Sequence, residues 1–200
     1  MVHATFPPLL LYYNIDMAPS SEKELIEQVQ KGDLEAYGEI VRAYQNSVFN
    51  VCLRVLGNIQ EAEDLAQEAF LRAYRNIAHY DLSRPFGPWM RVLAANLCCN
   101  HLKKARLECA PLEDEREVLP DDPHRSPEFL LELSQEHQDL YRQIWQLPES
   151  QRITLELRHF QGLSYQEMAA ILNLPLNTVR SHLYRARHKL AELLKEEEGD

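Results

Sequence analysis

Hydrophobic residues recur at three- and four-residue spacing along most of this chain, a pattern that predicts helices. The first predicted helix covers 22–31 with Ser21 as its N-cap, and the second starts near Asp33 and continues, or breaks, before Gly57. A third helix at 60–77 carries a continuous inward stripe made of Ala62, Leu65, Ala66, Ala69, Phe70, Ala73 and Ile77. These elements predict an N-terminal helical bundle.

A loop at 79–88 and a helix at 89–106 follow, and they combine basic residues with aromatic and amide side chains. No acidic residue lies between Asp81 and Glu108. Basic groups can follow a nucleic-acid backbone, and aromatic or amide groups can hold unstacked bases. The pattern predicts a surface for single-stranded nucleic acid, formed by Tyr80, Arg84, Trp89, Arg91, Asn96, Asn100, Lys103 and Lys104. For Trp89 and its neighbour Phe86, packing in the core is the favoured interpretation, and solvated amides on the helix surface are the alternative for Asn96 and Asn100.

Two helices joined by a tight turn are predicted between 163 and 194. Ser164 and Glu167 have the spacing of a capping box at the start of the first helix. Pro175 prevents that helix from continuing, and Asn173 suits a left-handed turn residue. Either of the next two polar residues, Asn177 or Thr178, is the predicted N-cap of the second helix, whose apolar face consists of Val179, Leu183, Ala186 and Leu190.

The opposite face of that second helix is basic, with Arg180, Arg185, Arg187 and Lys189 interleaved with Ser181, Tyr184 and His188. No acidic residue occurs between Asn177 and Leu190. The major groove of DNA is about 12 Å wide and admits one helix. A helical hairpin with a solvated basic face would share the charge pattern, but capping box, turn and one-sided charge in register favour a helix-turn-helix.

Prolines and acidic residues separate the two halves. Residues 107–133 contain four prolines and no helical stripe before Pro127. Helices at about 127–146 and at 149–160 then lead into the helix-turn-helix. The predicted fold is all-α, with two small helical domains at 21–106 and 133–196 joined by a flexible acidic linker at 107–132, after an N-terminal tail at 1–20.

The net charge of −10 is unusual for a nucleic-acid binder, but it is concentrated in the middle of the chain. Residues 107–137 carry 2 basic and 10 acidic residues, whereas the segments on either side each have a net charge of −1. Such a chain should bind bare DNA poorly, because few phosphates can be neutralised against a repulsive overall field. The acidic linker could also shield the two basic faces when no partner is bound.

The tail at 1–20 has no basic n-region and only a short apolar run, so neither a signal peptide nor membrane insertion is expected. Met17 is a possible alternative start. The four cysteines lack metal-ligand spacing with histidine, which predicts no metal and no cofactor. Buried thiols in a cytoplasmic protein are the favoured interpretation. Redox sensing through Cys98, Cys99 or Cys109 is the alternative.

Three stretches together resemble one protein family: 62–77 (AEDLAQEAFLRAYRNI), 86–104 (FGPWMRVLAANLCCNHLKK) and 147–190, which ends in the helix-turn-helix. In their order and spacing they look like an extracytoplasmic-function, or group 4, sigma factor of bacterial RNA polymerase. The resemblance covers roughly residues 22–195. It implies a transcription initiation factor that recognises the −35 and −10 promoter elements and opens DNA, for a stress or envelope-response regulon.

The resemblance also assigns surfaces in the N-terminal half. The third helix corresponds to region 2.2, which in this family contacts the clamp helices of the polymerase β′ subunit; the implied contacts are Asp64, Gln67, Glu68, Leu71 and Arg75. The loop and helix at 79–106 correspond to regions 2.3 and 2.4, which recognise and open the −10 element and hold a flipped base. Tyr80, Asp81 and Ser83 are the candidates for that pocket.

The C-terminal domain corresponds to region 4, which docks on the polymerase β flap through its apolar face. The implied −35 contacts are Asn177, Thr178, Arg180, Ser181, Tyr184, Arg185 and His188. Asn177 stands where many relatives have glycine. The partners implied are core RNA polymerase, promoter DNA and an anti-sigma factor.

Two other classes of protein compete with this interpretation. A helix-turn-helix regulator that binds duplex DNA without being a polymerase subunit would explain the C-terminal half but not the N-terminal bundle. A helical adaptor is a further possibility, whereas an enzyme is disfavoured because no phosphate-binding loop or nucleophile motif occurs. Electrophoretic mobility on promoter DNA, with and without core polymerase, separates these classes.

Overall fold

The computed structural model describes residues 19–109 and 135–197, and every regular element in these two ranges is a helix. The all-α prediction is therefore confirmed. The first range contains α1 (Pro19–Gln30), α2 (Leu34–Leu56), α3 (Ile59–Asn76) and α4 (Phe86–Cys109), with a 3₁₀ turn at Ile77–His79 between α3 and α4. Residues 1–18, 110–134 and 198–200 lie outside the described residues, and the middle range includes most of the linker predicted at 107–132.

The ends of α1 and α2 show how local sequence defines these helices. The prediction that Ser21 caps α1 is wrong, because the helix already starts at Pro19, and proline is well suited to a first helical position. Asp33 caps α2 by accepting hydrogen bonds from the N–H groups of Glu35 and Ala36. Helix α2 then runs unbroken to Gly57, which ends it at φ 71°, a left-handed conformation that glycine adopts without strain.

The core of the first domain lies between α2, α3 and α4. Six of the seven inward residues predicted for the third helix are buried, one of them (Ile77) in the 3₁₀ turn after α3, and the exception, Leu65, is half-buried. The four alanines among them let α3 approach its neighbours closely. The buried side chains of α2 and α4 that complete this core include Ile40, Tyr44, Val48, Leu53, Phe86, Met90 and Ala94.

Helix α4 begins three residues earlier than predicted. The sequence prediction placed its start after Pro88, because proline has no N–H to donate. Pro88 instead occupies the third helical position, where an N–H would have no partner within the helix in any case. The N–H of Phe86 is satisfied from outside, by the carboxylate of Glu22 at 3.0 Å.

The second described range contains α5 (Gln135–Trp145), α6 (Glu149–Leu155), α7 (Tyr165–Leu172) and α8 (Leu176–Glu197). A π-helical turn at Glu156–Phe160 extends α6, so the predicted helix at 149–160 is present but has a wider last turn. The start predicted for α5 near Pro127 lies outside the described residues. These helices have a small core of their own, made of Ile144, Leu147, Leu155, Leu183, Ala186 and Leu190.

The two helical domains pack against each other. Seven buried side chains of the second domain belong to the same cluster as the core of the first domain: Tyr141, Trp145, Ile153, Leu157, Met168, Leu172 and Val179. The indole Nε1 of Trp145 donates a hydrogen bond to the carbonyl of Leu53 at 3.2 Å. The ring of Trp145 also lies against Gly57, where an added Cβ would be 3.5 Å from the indole Cδ1.

The described cysteines are buried thiols. Cys52, Cys98 and Cys99 are unpaired by disulfides and almost inaccessible. A hydrogen bond with Cys52 and burial raise the pKa of Cys98 well above its ordinary value, and burial raises the pKa of Cys99 to about 12. Little reactive thiolate is therefore present, which favours packing over redox sensing for these three. The side chain of Cys109 lies outside the described part of the structure.

Two kinds of feature are absent from the described residues. No helix there is long and apolar enough to cross a bilayer. No group of three or more potential metal-ligating side chains occurs in the same residues.

Candidate nucleic-acid interface

The turn between α7 and α8 is fixed by local hydrogen bonds. Ser164 and Glu167 form both bonds of the predicted capping box. Asn173 ends α7 at φ 53°, the left-handed conformation expected from the sequence, and its N–H donates to the carbonyl of Ala169. The prediction that Asn177 or Thr178 caps α8 is wrong: the helix begins at Leu176, and the carbonyl of Pro175 accepts from the N–H groups of Thr178 and Val179.

The inner side of α8 anchors the hairpin. Val179, Leu183, Ala186 and Leu190 are all buried, as predicted. Met168 and Leu172 of α7 are buried as well, while the small Ala169 is half-buried where the two helices approach. A rigid helix pair of this kind presents the opposite side of α8 to solvent.

The outer side of α8 carries the predicted −35 contacts. Six of the seven are exposed and Thr178 is half-buried; the exposed ones are Asn177, Arg180, Ser181, Tyr184, Arg185 and His188. Tyr184 is 66% exposed, a large value for an aromatic ring, and it lies 5.0 Å from the His188 ring, centroid to centroid. The face combines positive charge, hydroxyl groups and rings, which are the groups that contact phosphates and base edges.

Arg187 does not share this exposed face. It is half-buried, and its Nε donates to Nε2 of His159 in the π-helical turn at 3.0 Å. Desolvation, together with the positive charges of Arg187 and Arg158, lowers the pKa of His159 to about 4. The imidazole is therefore neutral near pH 7 and can accept this hydrogen bond. The sequence pattern placed Arg187 on the basic face, because helical periodicity cannot detect a partner on another element.

The predicted −10 loop is held in place by α1. The side-chain amide of Gln30 donates to the carbonyls of Ile77 and Tyr80, at 2.9 and 3.1 Å. Glu22 accepts from the Tyr44 hydroxyl as well as from the N–H of Phe86. Neither α1 residue was predicted to have a role, because both lie about fifty or more positions from the loop atoms that they contact.

Four aromatic rings pack where this loop enters α4. The Tyr80 ring lies 4.8 Å from that of Trp89 and 5.4 Å from that of Phe86, centroid to centroid. Phe86 also contacts Tyr44 and is fully buried, so its favoured interpretation as a core residue is confirmed, whereas Trp89 is only half-buried. The Tyr80 hydroxyl donates to the carbonyl of Arg84, and burial raises the pKa of this phenol to about 12.

The other two pocket candidates lie at the surface. Asp81 and Ser83 are exposed, and Oδ1 of Asp81 accepts from the Ser83 N–H at 2.9 Å. Hydrogen bonds from the backbone and side chain of Ser83 lower the pKa of Asp81, so its carboxylate stays ionised and accepts hydrogen bonds. Arg84 is exposed beside them, with its Nε 3.5 Å from the Asp81 carboxylate.

Four of the residues predicted to contact the −10 element lie on one side of helix α4. Trp89, Asn96, Asn100 and Lys103 are separated by seven, four and three positions, so they form a stripe about 21 Å long. Trp89 and Asn96 are half-buried, whereas Asn100, Lys103 and the neighbouring Lys104 are exposed. Arg91 departs from the stripe: it is buried, and its Nε donates to Oε1 of Gln161 in the second domain.

The outer side of α3 presents the predicted polymerase contacts. Asp64, Gln67, Leu71 and Arg75 are exposed, and Glu68 is half-buried beside Arg72. Leu71 is 53% exposed, and two further exposed apolar side chains were missed from the sequence, Leu34 and Tyr74. The Tyr74 ring lies 4.9 Å from that of Tyr37, centroid to centroid. The sequence did carry a signal for Tyr74, because it follows Leu71 by three positions and so lies on the same side of α3.

These features define a class: an all-helical protein of two domains, with a helix-turn-helix in the second and a basic, aromatic-rich helix in the first. Comparison with known proteins identifies the family within this class. Residues 40–108 match the family model described as Sigma-70 region 2, and residues 137–190 match Sigma-70, region 4.

Curated relatives match over nearly their whole lengths. The chain is 37% identical to "ECF RNA polymerase sigma factor SigW" of Bacillus subtilis (strain 168), over 87% of this chain and 97% of that protein. It is 34% identical to "RNA polymerase sigma-H factor" of Pseudomonas aeruginosa, over 90% of this chain and 96% of that one. The chain belongs to the extracytoplasmic-function sigma factors of bacterial RNA polymerase.

Solved structures agree on the fold. The sigma factor RpoE of Bartonella quintana, in complex with the anti-sigma factor NepR, has a TM-score of 0.55 at 21% identity and covers 81% of this chain and 98% of its own. CnrH, in complex with the cytosolic domain of CnrY, has a TM-score of 0.51 at 22% identity, over 88% and 98%. At these identities the likeness concerns the helical fold alone.

Proposed function

We propose that this sigma factor directs core RNA polymerase to the promoters of a stress or envelope-response regulon and promotes DNA opening there. Residues 21–106 form the domain that binds core polymerase and the −10 element, and residues 133–196 form the domain that binds the −35 element. The acidic segment 107–132 links them. The chain acts as an initiation factor and supplies no catalytic group.

The exposed side of α8 carries the proposal for the −35 element. Arg180, Tyr184 and Arg185 project from a helix whose other side is locked into the domain core. The N-terminal part of a recognition helix is the part that reaches base edges, which fits the positions of Asn177, Thr178 and Ser181. His188, one turn further on, lies where a contact to the DNA backbone is expected.

Helix α4 and its preceding loop support recognition of the −10 element. The stripe from Trp89 to Lys103 offers an aromatic ring, two amides and a positive charge to one strand. Asp81 and Ser83 at the loop surface are the polar groups available to a flipped base, with Arg84, Lys104 and Arg91 near the phosphates. Unstacking a base costs a few kcal/mol, about what aromatic stacking and the polymerase together can offset.

The outer side of α3 is the proposed contact for the β′ clamp helices. An exposed leucine among acidic and amide side chains is typical of a protein interface, with an apolar centre and a polar rim. Leu71 is the centre, and Asp64, Gln67, Glu68 and Arg75 form the rim. The β flap would bind the apolar face of the second domain.

The net charge explains why two domains are needed. With −10 overall, neither basic surface is strong enough to hold DNA alone. When polymerase fixes both domains at the spacing of the two promoter elements, the second contact becomes intramolecular, and its effective concentration supplies the missing affinity. Two solved relatives are complexes described with an anti-sigma factor or a cytosolic partner domain, which supports an anti-sigma partner here as well.

Transcription with purified components tests the proposal. Core polymerase with this chain should give specific run-off transcripts whose mapped starts share upstream −10 and −35 sequences, and core alone should not. Mobility shifts on the same promoters should need both proteins. Tight, sequence-selective duplex binding by the chain alone would instead support the helix-turn-helix regulator.

A further inference from the structure

The contact between the two domains is centred on an ion pair that is hidden from water. Nε of Arg54, near the end of α2, lies 2.6 Å from Oε2 of Glu156, and its Nη2 lies 3.1 Å from Oε1. Both side chains are less than 10% exposed. The two residues are 102 positions apart, so this pair exists only while the domains are together.

Other groups contact the rest of the Arg54 guanidinium. Its Nη1 donates to the hydroxyl of Tyr141, and its guanidinium carbon lies 4.1 Å from the centre of the Phe160 ring. Burial by itself would lower the pKa of Arg54, but the charge of Glu156 and the hydrogen bonds to Glu156 and Tyr141 raise it above its ordinary value. The guanidinium therefore stays charged. Gln161 donates to Glu156 at 2.7 Å from the other side.

Several of the groups that contact Arg54 or Glu156 come from the π-helical turn or directly follow it. Glu156 and Phe160 are the first and last residues of the turn, and Gln161 follows it directly. The N–H of Gln161 donates to the carbonyl of Glu156, the five-residue bond that defines a π-helix. Such turns make up well under about 1% of residues and are concentrated at functional sites. Here the wider turn points a carboxylate and a ring at the same guanidinium.

The same contact takes up part of the proposed −10 surface. Arg91, near the start of α4, donates to Gln161, and Lys103, near its other end, donates from Nζ to the carbonyl of Leu172 at 2.9 Å. The two α4 residues are about 18 Å apart along the helix. The second domain therefore lies along α4 and holds a basic group at each end. The recognition face of α8 stays exposed in the same arrangement.

The interface between the two domains also contains a charged side chain whose burial is unfavourable, that of Arg152. Arg152 of α6 is 4% exposed beside Trp145 and Gly57; its Nη1 donates to the carbonyl of Trp145 at 3.4 Å, but its Nε has no hydrogen-bond partner in the described structure. Desolvation lowers the pKa of Arg152 to about 10, against the favourable charge of Glu149. Separation of the domains would return this cation to water. The closed arrangement is thus held by one well-paired cation and weakened by another.

From these contacts we propose that the Arg54–Glu156 pair is an autoinhibitory latch: it closes the two domains of the free sigma factor onto each other, buries Arg91, and ties the exposed Lys103 to the second domain, so that both are engaged there instead of with the single strand. The proposal rests on the proposed function, since it takes α4 as the surface that binds the strand. Core polymerase opens the latch by binding both domains at a separation that the pair cannot span. Opening returns both charges to water, which offsets much of the attraction that is lost, so the open and closed arrangements can interconvert when polymerase binds.

This latch differs from shielding by the acidic segment 107–132. Shielding would be electrostatic, long-range and sensitive to salt. The latch is a short-range contact in which Glu156, in the second domain, is the essential acid. Removing one charge of a buried pair strongly destabilises the arrangement that buries the other.

Two single substitutions test the latch, one from each domain: Glu156→Gln and Arg54→Gln. The matched control is Asp139→Asn, which removes one side of the partly exposed Asp139–Arg142 pair within α5. Circular dichroism first confirms wild-type helix content. Small-angle X-ray scattering of the free full-length chain then measures the radius of gyration, and fluorescence anisotropy measures the affinity for a labelled random-sequence single-stranded DNA pool.

Both latch variants should increase the radius of gyration, by about 3 Å or more over a compact value of about 16 Å for 200 residues. Their affinity for the DNA pool should rise about tenfold, because the competent fraction of molecules rises. The control should leave both measurements unchanged. Latch variants that stay compact, or that expand without tighter DNA binding, overturn the proposal. These measurements use no polymerase, so a failed run-off assay would count against the proposed function and leave this result standing.

Discussion

The carboxylate of Glu22 accepts the backbone N–H of Phe86 at 3.0 Å, so a residue in α1 satisfies the first turn of α4, 64 positions away. The same carboxylate accepts the hydroxyl of Tyr44, which packs against the Phe86 ring. The negative charge of Glu22 also interacts favourably with the positive, N-terminal end of the α4 dipole. Glu22 therefore fixes the place where the predicted −10 loop becomes helix.

Replacing Glu22 should destabilise the fold and disturb the loop. Glu22→Ala leaves a buried hydroxyl and a buried N–H without their acceptor, which should cost about 1–3 kcal/mol of unfolding free energy. Urea unfolding followed by circular dichroism measures this change. Glu24→Ala, at an exposed position of the same helix, should change stability by less than about 0.5 kcal/mol. Equal stability of the two variants would show that the Glu22 contacts contribute little.

Arg185 should contribute to sequence selectivity at the −35 element. Arg185→Ala is expected to weaken binding of the polymerase complex to its promoter by about 1–3 kcal/mol and to relax selectivity at one base position. Association with core polymerase should be unaffected. Competition binding on promoter variants measures both effects.

The matched control for Arg185 is Lys189→Ala, an exposed cation on the same helix outside the predicted set. A cation that binds only phosphate carries no sequence information, so its removal should lower affinity uniformly for all sequences and reduce the salt dependence. If Arg185→Ala instead abolishes core binding, its assignment to the −35 element is incorrect.

Leu71 should be important for polymerase binding. Leu71→Asp places a charge at the centre of the proposed apolar contact on α3, and affinity for core polymerase should fall at least about tenfold. Pull-down titration with purified core measures the change. Gln28→Asp adds the same charge at an exposed position of α1 and should have no effect. Equal losses for both variants would indicate an effect of net charge and not of this surface.

His159 should make stability depend on pH. Its folded pKa of about 4 lies below the ordinary value of 6.5, so between these values the unfolded chain binds a proton that the folded chain does not. Its neutral form therefore stabilises the fold fully above pH 6.5, and this contribution is lost as pH falls towards 4. The loss arises because protonation would place a charge in a partly desolvated site that also faces Arg187 and Arg158.

The difference between wild type and His159→Gln isolates this effect. Unfolding free energies measured from pH 7 to pH 4 should fall more steeply for the wild type, because glutamine does not titrate. His182, whose pKa is also lowered by burial and by Arg185, contributes equally to both proteins. Parallel pH profiles would mean that His159 keeps its ordinary pKa in the folded chain.

Local chemistry was enough to predict the helix-turn-helix. The capping box of Ser164 and Glu167, the left-handed Asn173 and the buried face of α8 all depend on residues within a few turns of one another. The stripe of α3 was predictable for the same reason. The helix starts at Pro19, Phe86 and Leu176 were predicted wrongly. At Phe86 the distant carboxylate of Glu22 satisfies the first turn, and at Leu176 the backbone carbonyl of Pro175 accepts the first helical hydrogen bonds.

The sequence by itself determined that the chain is helical, which side of each helix is apolar, and where a recognition helix lies, because these properties follow from periodicity and capping. Only the tertiary structure decided which charged residues stay in water. Arg185 and Arg187 are two positions apart in α8, yet one is exposed and the other bonds to His159. Arg54 finds Glu156 across 102 positions. Such pairs form where separate helices pack together, and no local pattern encodes that meeting.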